Sequence, residues 1–311
     1  MTAPLPAYIQ AHHTGLLAER IRAARSRLKD CTLCPRACGV DRLSGETGIC
    51  KTGPDAWVSS YGPHFGEESP LTGTRGSGTI FFTHCNLLCL FCQNYEISHG
   101  DEGEPVDTDG LARIMLWLQE RGCHNINLVT PSHVVPQILA AVKPAVEGGL
   151  SIPLVFNSSG YDQMETLALL DGIIDIYMPD FKFWDADLAQ RACGVKDYPV
   201  VARDALMEMH RQVGDLVIDK AGIARRGLLV RHLVLPRGMA GTGEIMRFIA
   251  EKISRNTYVN IMPQYRPCGR AAEVEGLEGY PSRSDFEAAV KAARDAGITR
   301  LDEPRRIFTM A

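Results

Sequence analysis

The segment that decides the fold is "GTIFFTHCNLLCLFCQN", residues 78–94. Its opening "GTIFFT" is short, apolar and rich in aromatic and β-branched residues, which predicts a β-strand. Three cysteines, Cys85, Cys89 and Cys92, follow that strand within eight residues. Pairwise disulfides cannot use all three thiols, so the spacing favours metal or redox chemistry on a loop at the end of a strand.

Outward from this segment, the chain alternates between short apolar runs and stretches with helical periodicity. The runs predict six strands, at 78–83, 125–130, 152–157, 173–180, 228–236 and 258–264. Helices are predicted between and after them, at 108–121, 132–146, 162–170, 185–192, 199–212, 243–254 and 282–296. This order indicates parallel strands joined by right-handed crossovers, in either an open doubly wound sheet or a complete or partial barrel.

Polar residues follow most of the predicted strands. In both architectures function gathers at the carboxyl ends of the strands, so these residues predict a site beside the three cysteines. The set comprises Thr130, Ser132, His133, Asn157, Ser158, Ser159, Asp180, Lys182, Arg237, Gln264, Tyr265 and Arg266. No glycine-rich dinucleotide fingerprint or phosphate loop follows the first strand, which argues against a nucleotide site of those two kinds.

The spacing Cys-x3-Cys-x2-Cys supplies three thiolates on one compact loop. A 4Fe–4S cubane cluster normally takes four, so three cysteines leave one iron open to bind a small molecule. A structural zinc ion takes four protein ligands, and a catalytic zinc site usually includes histidine or carboxylate. His84 and His99 lie nearby in the sequence, so a zinc site remains an alternative here.

A second cysteine group lies near the N-terminus. Cys31, Cys34, Cys38 and Cys50 fall within twenty residues, with glycines that allow the chain to turn back. Four thiols satisfy one tetrahedral zinc ion or one auxiliary 4Fe–4S cluster, and the two remain alternatives. The other three cysteines stand alone, and we interpret Cys123 and Cys193 as buried or incidental thiols.

Composition sets outer limits on function. The 311 residues carry a formal net charge of −4, which gives no bulk electrostatic reason to bind nucleic acid or an anionic membrane. The N-terminus shows no signal peptide and the chain has no apolar run of membrane-spanning length, so we expect a cytoplasmic protein. In that reducing compartment, clustered thiols indicate metal or redox chemistry more often than disulfides.

The three-cysteine loop resembles the cluster motif of the radical S-adenosylmethionine (radical SAM) superfamily. Its "CLFCQN" is similar to the pyruvate formate-lyase activating enzyme group, and "CTLCPRACGV" (31–40) and "VTPSH" (129–133) resemble the PflX-like branch of that group. The resemblance implies a partial (β/α)6 TIM-like barrel over residues 76–311. An N-terminal helix and Cys-rich extension over residues 1–75, with a second metal or cluster site, precede it.

The resemblance also implies cofactors and their ligands. Cys85, Cys89 and Cys92 would hold a 4Fe–4S cluster whose open iron chelates S-adenosylmethionine. Ser132 as a helix N-cap, Asp180 with Lys182 as a surface ion pair, and His232 as a core residue remain alternative interpretations. The implied cofactor-binding residues are Phe91, Thr130, Ser132, Asn157, Ser159, Asp180, Lys182, His232, Gln264 and Tyr265.

The function implied is that of a radical SAM oxidoreductase. One electron, supplied by reduced flavodoxin or ferredoxin, cleaves S-adenosylmethionine to a 5′-deoxyadenosyl radical. The radical abstracts hydrogen from a protein or peptide, as an activase of glycyl-radical enzymes does. Two alternatives are a radical SAM enzyme acting on a small molecule or modified peptide, and a metal-cluster scaffold or carrier without catalysis.

Overall fold

The computed structural model describes residues 5–302, so the ends of the two predicted regions, 1–4 and 303–311, lie outside the described residues. The described chain begins with two helices, α1 (Ala7–Thr14) and α2 (Leu16–Ser26). The sequence predicts the second of these, since residues 16–30 have the apolar spacing of an amphipathic helix, but it does not predict the first. Gly15 separates them with a φ of 83°, a left-handed conformation that ends α1.

The nine strands within residues 5–302 are β1 (Ala56–His64), β2 (Ser77–Phe82), β3 (Glu104–Val106), β4 (Ile126–Val129), β5 (Leu154–Asn157), β6 (Ile176–Tyr177), β7 (Val217–Ile218), β8 (Ala224–Leu233) and β9 (Tyr258–Met262). They form one mixed sheet in the order β3-β1-β2-β4-β5-β6-β8-β7, with β9 paired to β8. Six of them are parallel: β2, β4, β5, β6, β8 and β9.

The order of the parallel strands decides between the two predicted architectures. Each parallel strand lies beside the next one along the chain, so the sheet winds in one direction without the reversal that defines a doubly wound fold. The sheet does not close, since β3 and β9 at its two ends are not paired with each other. The predicted partial barrel of six parallel strands is confirmed.

Helices pack against this sheet through amphipathic faces. After α1 and α2, the helices are α3 (Ser69–Thr72), α4 (Tyr95–His99), α5 (Thr108–Glu120), α6 (Val135–Glu147), α7 (Met164–Leu170), α8 (Ala186–Cys193), α9 (Tyr198–Val213), α10 (Thr242–Phe248) and α11 (Arg283–Asp295). In α5, for example, Leu111, Met115 and Leu118 are buried and recur at helical spacing. α10 continues into a π-helical turn over Ile249–Ile253. None of the helices described within 5–302 combines the length and apolarity needed to cross a bilayer.

Residues 61–78 are rich in Gly, Pro and small polar residues, a composition that predicts loops before the first parallel strand. That prediction is wrong at its start, because β1 extends to His64 and pairs antiparallel with β2. Gly62 and Pro63 conceal this strand in the sequence, since both residues are unfavourable in a strand interior. β3 pairs only with Ala56–Val58, so Pro63 lies where β1 has β2 alone as a neighbour. The segment before the parallel strands thus supplies an antiparallel strand to the same sheet.

Candidate functional site

A cavity of about 390 Å³ opens at the carboxyl ends of the parallel strands. Loops that follow β2, β4, β5, β6 and β9 line it, and the side chain of Arg231 enters from β8. Its volume lies within the usual range for small-molecule sites. The predicted location of the site at this edge of the sheet therefore coincides with a cavity large enough for a ligand.

All three cysteines of the loop after β2 line this cavity. Cys85 and Cys89 are buried and Cys92 is half-buried. His84 and Leu88 take left-handed φ values of 71° and 58°, which bends the loop tightly around its thiols. Burial raises the pKa of the Cys85 thiol to about 12, so an ionised thiolate here needs a cation for compensation.

The donor set of this loop fits an iron–sulfur cluster. Within residues 5–302, no group of three or more His, Cys, Asp or Glu side chains is arranged to hold a metal ion. In a cubane each cysteine binds a different iron, so its ligands lie around a volume rather than at a point. Cys85, Cys89 and Cys92, facing one cavity, are suited to hold three corners of such a cluster.

A buried ionic network faces the three cysteines. The carboxylate of Asp180 accepts a hydrogen bond from Arg231 Nε at 2.8 Å and another from Lys182 Nζ. Arg231 Nη2 also donates to Asn157 Oδ1 at 2.8 Å. Burial raises the pKa of Asp180, but the charges of Arg231 and Lys182 outweigh burial, so this pKa falls below its usual value. Two cations thus share one carboxylate at the wall of the cavity, an arrangement able to bind an added carboxylate.

Glu67 completes this network from the segment after β1. Its carboxylate lies 3.6 Å from Arg231 and 3.6 Å from His64. Burial raises the pKa of Glu67 to about 7, despite the opposing effect of Arg231. Near neutral pH this side chain therefore exchanges a proton within the cavity.

Glu67→Gln is expected to remove one pH-dependent part of the free energy of unfolding. Between the ordinary glutamate pKa of 4.5 and the folded value of about 7, the folded state binds a proton that the unfolded state releases. This contribution to stability therefore falls as pH rises, by about 3 kcal/mol. Urea unfolding across this pH range should show the decrease in unfolding free energy in wild type and in the control Glu120→Gln, whose side chain is exposed. Glu67→Gln should not show it. Equal pH slopes in all three proteins would contradict the assignment.

The loops after β4 and β5 are joined by a buried carboxylate. Thr130 lines the cavity with φ of 60°, an unusual conformation for a β-branched residue. Ser132 does not line the cavity. Its hydroxyl donates to Asp162 at 2.6 Å, and Ser158 donates to the other oxygen of Asp162 at 2.6 Å. Nor does Ser132 cap a helix, because the N-cap of α6 is Val134.

The other predicted residues divide between the cavity and the core. His232 lies outside the cavity, fully buried, with Nδ1 donating to Phe181 O and Nε2 accepting from Thr242 Oγ1, both at 2.8 Å. Its neighbour Arg231 faces the cavity instead. The structure brings together in the lining Phe91, Thr130, Asn157, Ser159, Asp180, Lys182, Gln264 and Tyr265.

The aromatic residues form the apolar wall of the cavity. Phe91 contacts Phe183 edge to face, with ring centroids 5.7 Å apart, and lies 5.9 Å from the ring of Tyr265. The hydroxyl of Tyr265 donates to Leu277 O at 2.6 Å, so this group is engaged with the backbone.

The loop after β5 lies close to the end of β6. Gly160 has a φ of 76°, and it lies so near the backbone of Asp180 that an added Cβ would collide with the Asp180 carbonyl oxygen.

Sequence reasoning missed a fourth thiol at this site. Cys193 Sγ, at the end of α8, lies 3.3 Å from Cys89 Sγ and is buried. It lies outside the cavity lining, behind Cys89. Nothing in the sequence connects two cysteines that are 104 residues apart.

The four N-terminal cysteines lie together around a second, smaller cavity. Cys31, Cys34, Cys38 and Cys50 all line it. Burial raises the pKa of Cys34 to about 12, and the neighbouring thiols of Cys50, Cys31 and Cys38 also raise it. The predicted grouping of these four residues is therefore present, away from the first cavity.

Comparison with solved structures places this sheet in a known class of folds. It is similar to that of HydG, described as a maturase of the FeFe-hydrogenase, with a TM-score of 0.50 and 16% sequence identity. The match covers 70% of this chain and 49% of HydG, so the chain spans about half the length of that neighbour. At this identity the likeness concerns the fold alone.

Comparison of sequences identifies a relative over most of the chain. No protein-family model matches the chain. The uncharacterized protein MJ0674 of Methanocaldococcus jannaschii is 30% identical over 288 residues, which cover 90% of this chain and 78% of the relative. At this identity and coverage, the chain belongs to the same protein family as MJ0674.

Proposed function

We propose that the protein is a radical SAM oxidoreductase that cleaves S-adenosylmethionine at a 4Fe–4S cluster held by Cys85, Cys89 and Cys92. One observation carries this proposal. The three cysteines and the network of Asp180, Lys182 and Arg231 face the same cavity, at the carboxyl ends of parallel strands. The likeness of the fold to radical SAM barrels supports it.

When bound and reduced by one electron, a 4Fe–4S cluster with S-adenosylmethionine would supply a 5′-deoxyadenosyl radical for hydrogen abstraction. The residues of the chain hold and shield these groups. Lys182 and Arg231 offer cations to the carboxylate of the nucleotide, and Asp180 fixes the position of both. Thr130 and Ser159 also line the cavity, and their hydroxyls are available for the amino or ribose groups of the nucleotide.

The apolar wall protects the reactive centre. Phe91 and Leu87 are buried beside the cysteines and line the cavity. Excluding water from this wall prevents quenching of a reactive intermediate and strengthens the electrostatic contacts inside. The chain thus provides binding, orientation and shielding, while the cofactors supply the chemistry.

We propose a protein or peptide as the substrate, with reduced flavodoxin or ferredoxin as the electron donor in the cytoplasm. The resemblance of the sequence to activating enzymes supports this assignment. The exposed rim of the cavity is also polar and extends over several loops, which suits a substrate larger than the cavity. The rim comprises His64, Gln93, Asn94, Gln264 and Arg266.

Turnover tests the proposal. Anaerobically reconstituted protein, given dithionite and S-adenosylmethionine, should release methionine and 5′-deoxyadenosine in equal amounts. A scaffold or cluster carrier would release neither. The same reaction is then run with the macromolecular or the small-molecule fraction of an extract from deuterated cells. We expect the macromolecular fraction to transfer deuterium to 5′-deoxyadenosine. Transfer from the small-molecule fraction alone would exclude a protein substrate.

Cys193→Ala is expected to lower the reduction potential of the 4Fe–4S cluster proposed at Cys85, Cys89 and Cys92 by about 40 mV. The Cys193 thiol donates a hydrogen bond to the sulfur of Cys89, and donation to a ligating sulfur stabilises the more negative, reduced state. One such bond contributes about 1 kcal/mol, which is about 40 mV for one electron. Spectroscopic redox titration measures the shift, with Cys123→Ala as the matched control. Identical potentials in both variants would show that the contact does not tune the cluster.

A further inference from the structure

The sulfur atoms of Cys89 and Cys193 are in direct contact beside the first cavity. They lie 3.3 Å apart, and a disulfide bond measures about 2.05 Å, so an approach of about 1.2 Å would bond them. Within residues 5–302, no other two cysteine sulfurs are joined by a hydrogen bond. The contact therefore pairs a proposed cluster ligand with a thiol that the cluster does not use.

The backbones on both sides of this contact are fixed to each other. Leu90 N, one residue after Cys89, donates to Ala192 O at 2.8 Å. The guanidinium of Arg36 donates to Cys193 O at 2.9 Å and to two carbonyl oxygens of the loop after β2 at 3.0 Å each. None of these bonds involves a thiol, so they hold the two cysteines side by side independently of what the thiols bind.

The two thiols differ in their access from the cavity. Cys89 lines the cavity, whereas Cys193 lies behind it with 4% exposure. A small oxidant that enters the cavity therefore meets Cys89 first. The neighbouring Cys193 thiol and burial raise the pKa of Cys89, so its reactive thiolate is scarce near neutral pH and oxidation requires sustained exposure to the oxidant.

We propose that Cys89 and Cys193 form a reversible disulfide when the chain holds no cluster, with hydrogen peroxide as the oxidant. Peroxide first converts the Cys89 thiol to a sulfenic acid: an S–O bond forms, the O–O bond breaks and one water leaves. The sulfur of Cys193 then attacks the sulfur of Cys89, so the S–S bond forms, the S–O bond breaks and a second water leaves. In total, the two thiols lose two electrons and two protons, and one peroxide is reduced to two waters.

The disulfide preserves a ligand that further oxidation would destroy. Without a second thiol in contact, a sulfenic acid reacts with more peroxide to a sulfinic acid, which dithiols do not reduce. A disulfide is instead reduced by exchange with a cellular dithiol, which returns both thiols. The sulfur of Cys89 cannot bind iron while it is in the disulfide, so cluster assembly waits for that reduction. This protective role rests on the function proposed for the first cavity, whereas formation of the disulfide does not.

Disulfide mapping of the full-length, cluster-free protein tests the proposal. Wild type and the control Cys123→Ala are treated with hydrogen peroxide, alkylated, digested and analysed by mass spectrometry without reduction. Both should yield linked peptides that contain Cys89 and Cys193, and dithiothreitol should abolish the link. In Cys193→Ser, the same treatment should instead convert Cys89 to its sulfinic acid. After peroxide and then dithiothreitol, anaerobic reconstitution should restore the original iron content of wild type but not that of Cys193→Ser.

Two results would overturn the proposal. One is a wild type in which Cys89 stays reduced, or is linked to Cys85 or Cys92 instead of Cys193. The other is an equal yield of Cys89 sulfinic acid in wild type and in Cys193→Ser, with the folding of both verified by circular dichroism. Because the mapping uses neither S-adenosylmethionine nor a bound cluster, failure here is distinguishable from failure of the radical SAM assignment.

Discussion

Cys89→Ala is expected to abolish cleavage of S-adenosylmethionine. The loop after β2 offers three thiols to its cavity, and with only two of them a cubane is not held firmly enough to keep an open iron towards the nucleotide. The rate of 5′-deoxyadenosine formation should fall by more than about a thousandfold, since enzymes supply at least about 10⁶-fold in rate. Chromatography of the anaerobic reaction measures it.

The control for this prediction is Cys123→Ala. Cys123 is equally buried but lies in neither cysteine group and lines neither cavity. The Cys123→Ala variant should therefore cleave S-adenosylmethionine at the wild-type rate. Turnover that survives in Cys89→Ala would remove Cys89 from the ligand set and with it the proposed cluster.

Asp180→Asn is expected to cost about 3 kcal/mol of unfolding free energy, because it leaves the charges of Lys182 and Arg231 buried without their partner. The amide keeps the shape of the side chain, so the loss is mainly electrostatic. Urea unfolding measures it. The exposed pair of Asp187 with Lys196 provides the control, and Asp187→Asn should cost less than about 0.5 kcal/mol.

The contribution of Asp180 to the free energy of unfolding should decrease as the pH falls. The pKa of Asp180 is lowered in the folded state, so its contribution is complete above the ordinary aspartate pKa of 3.8 and is lost as pH falls towards the folded value. The difference between wild type and Asp180→Asn should therefore shrink in acid. Equal stability of the two proteins near neutral pH would show that the network does not hold the cavity wall.

Much of the fold was accessible from the sequence, because buried parallel strands appear as short apolar runs followed by helical periodicity. All six parallel strands were predicted on that basis. The antiparallel strands β1, β3 and β7 were not. β3 and β7 have only three and two residues, too few to show a period, and Pro63 breaks the pattern in β1.

The candidate site was predictable where its residues follow strands and only partly elsewhere. Lys182 and Asp180 share a strand end, so the sequence places them together. Cys193 reaches Cys89 only through the packing of α8, a tertiary contact without local signature. His133 and Thr130 follow the same strand, yet the bent backbone at Thr130 directs them to different cavities.

The central claim is that S-adenosylmethionine binds at the iron left open by Cys85, Cys89 and Cys92. Electron–nuclear double resonance on the dithionite-reduced protein tests this with S-adenosylmethionine carrying ¹⁵N in its amino group. We expect a ¹⁵N hyperfine coupling that unlabelled nucleotide lacks and that Cys89→Ala loses. A reduced cluster whose spectrum shows no ¹⁵N coupling at saturating nucleotide would contradict the claim.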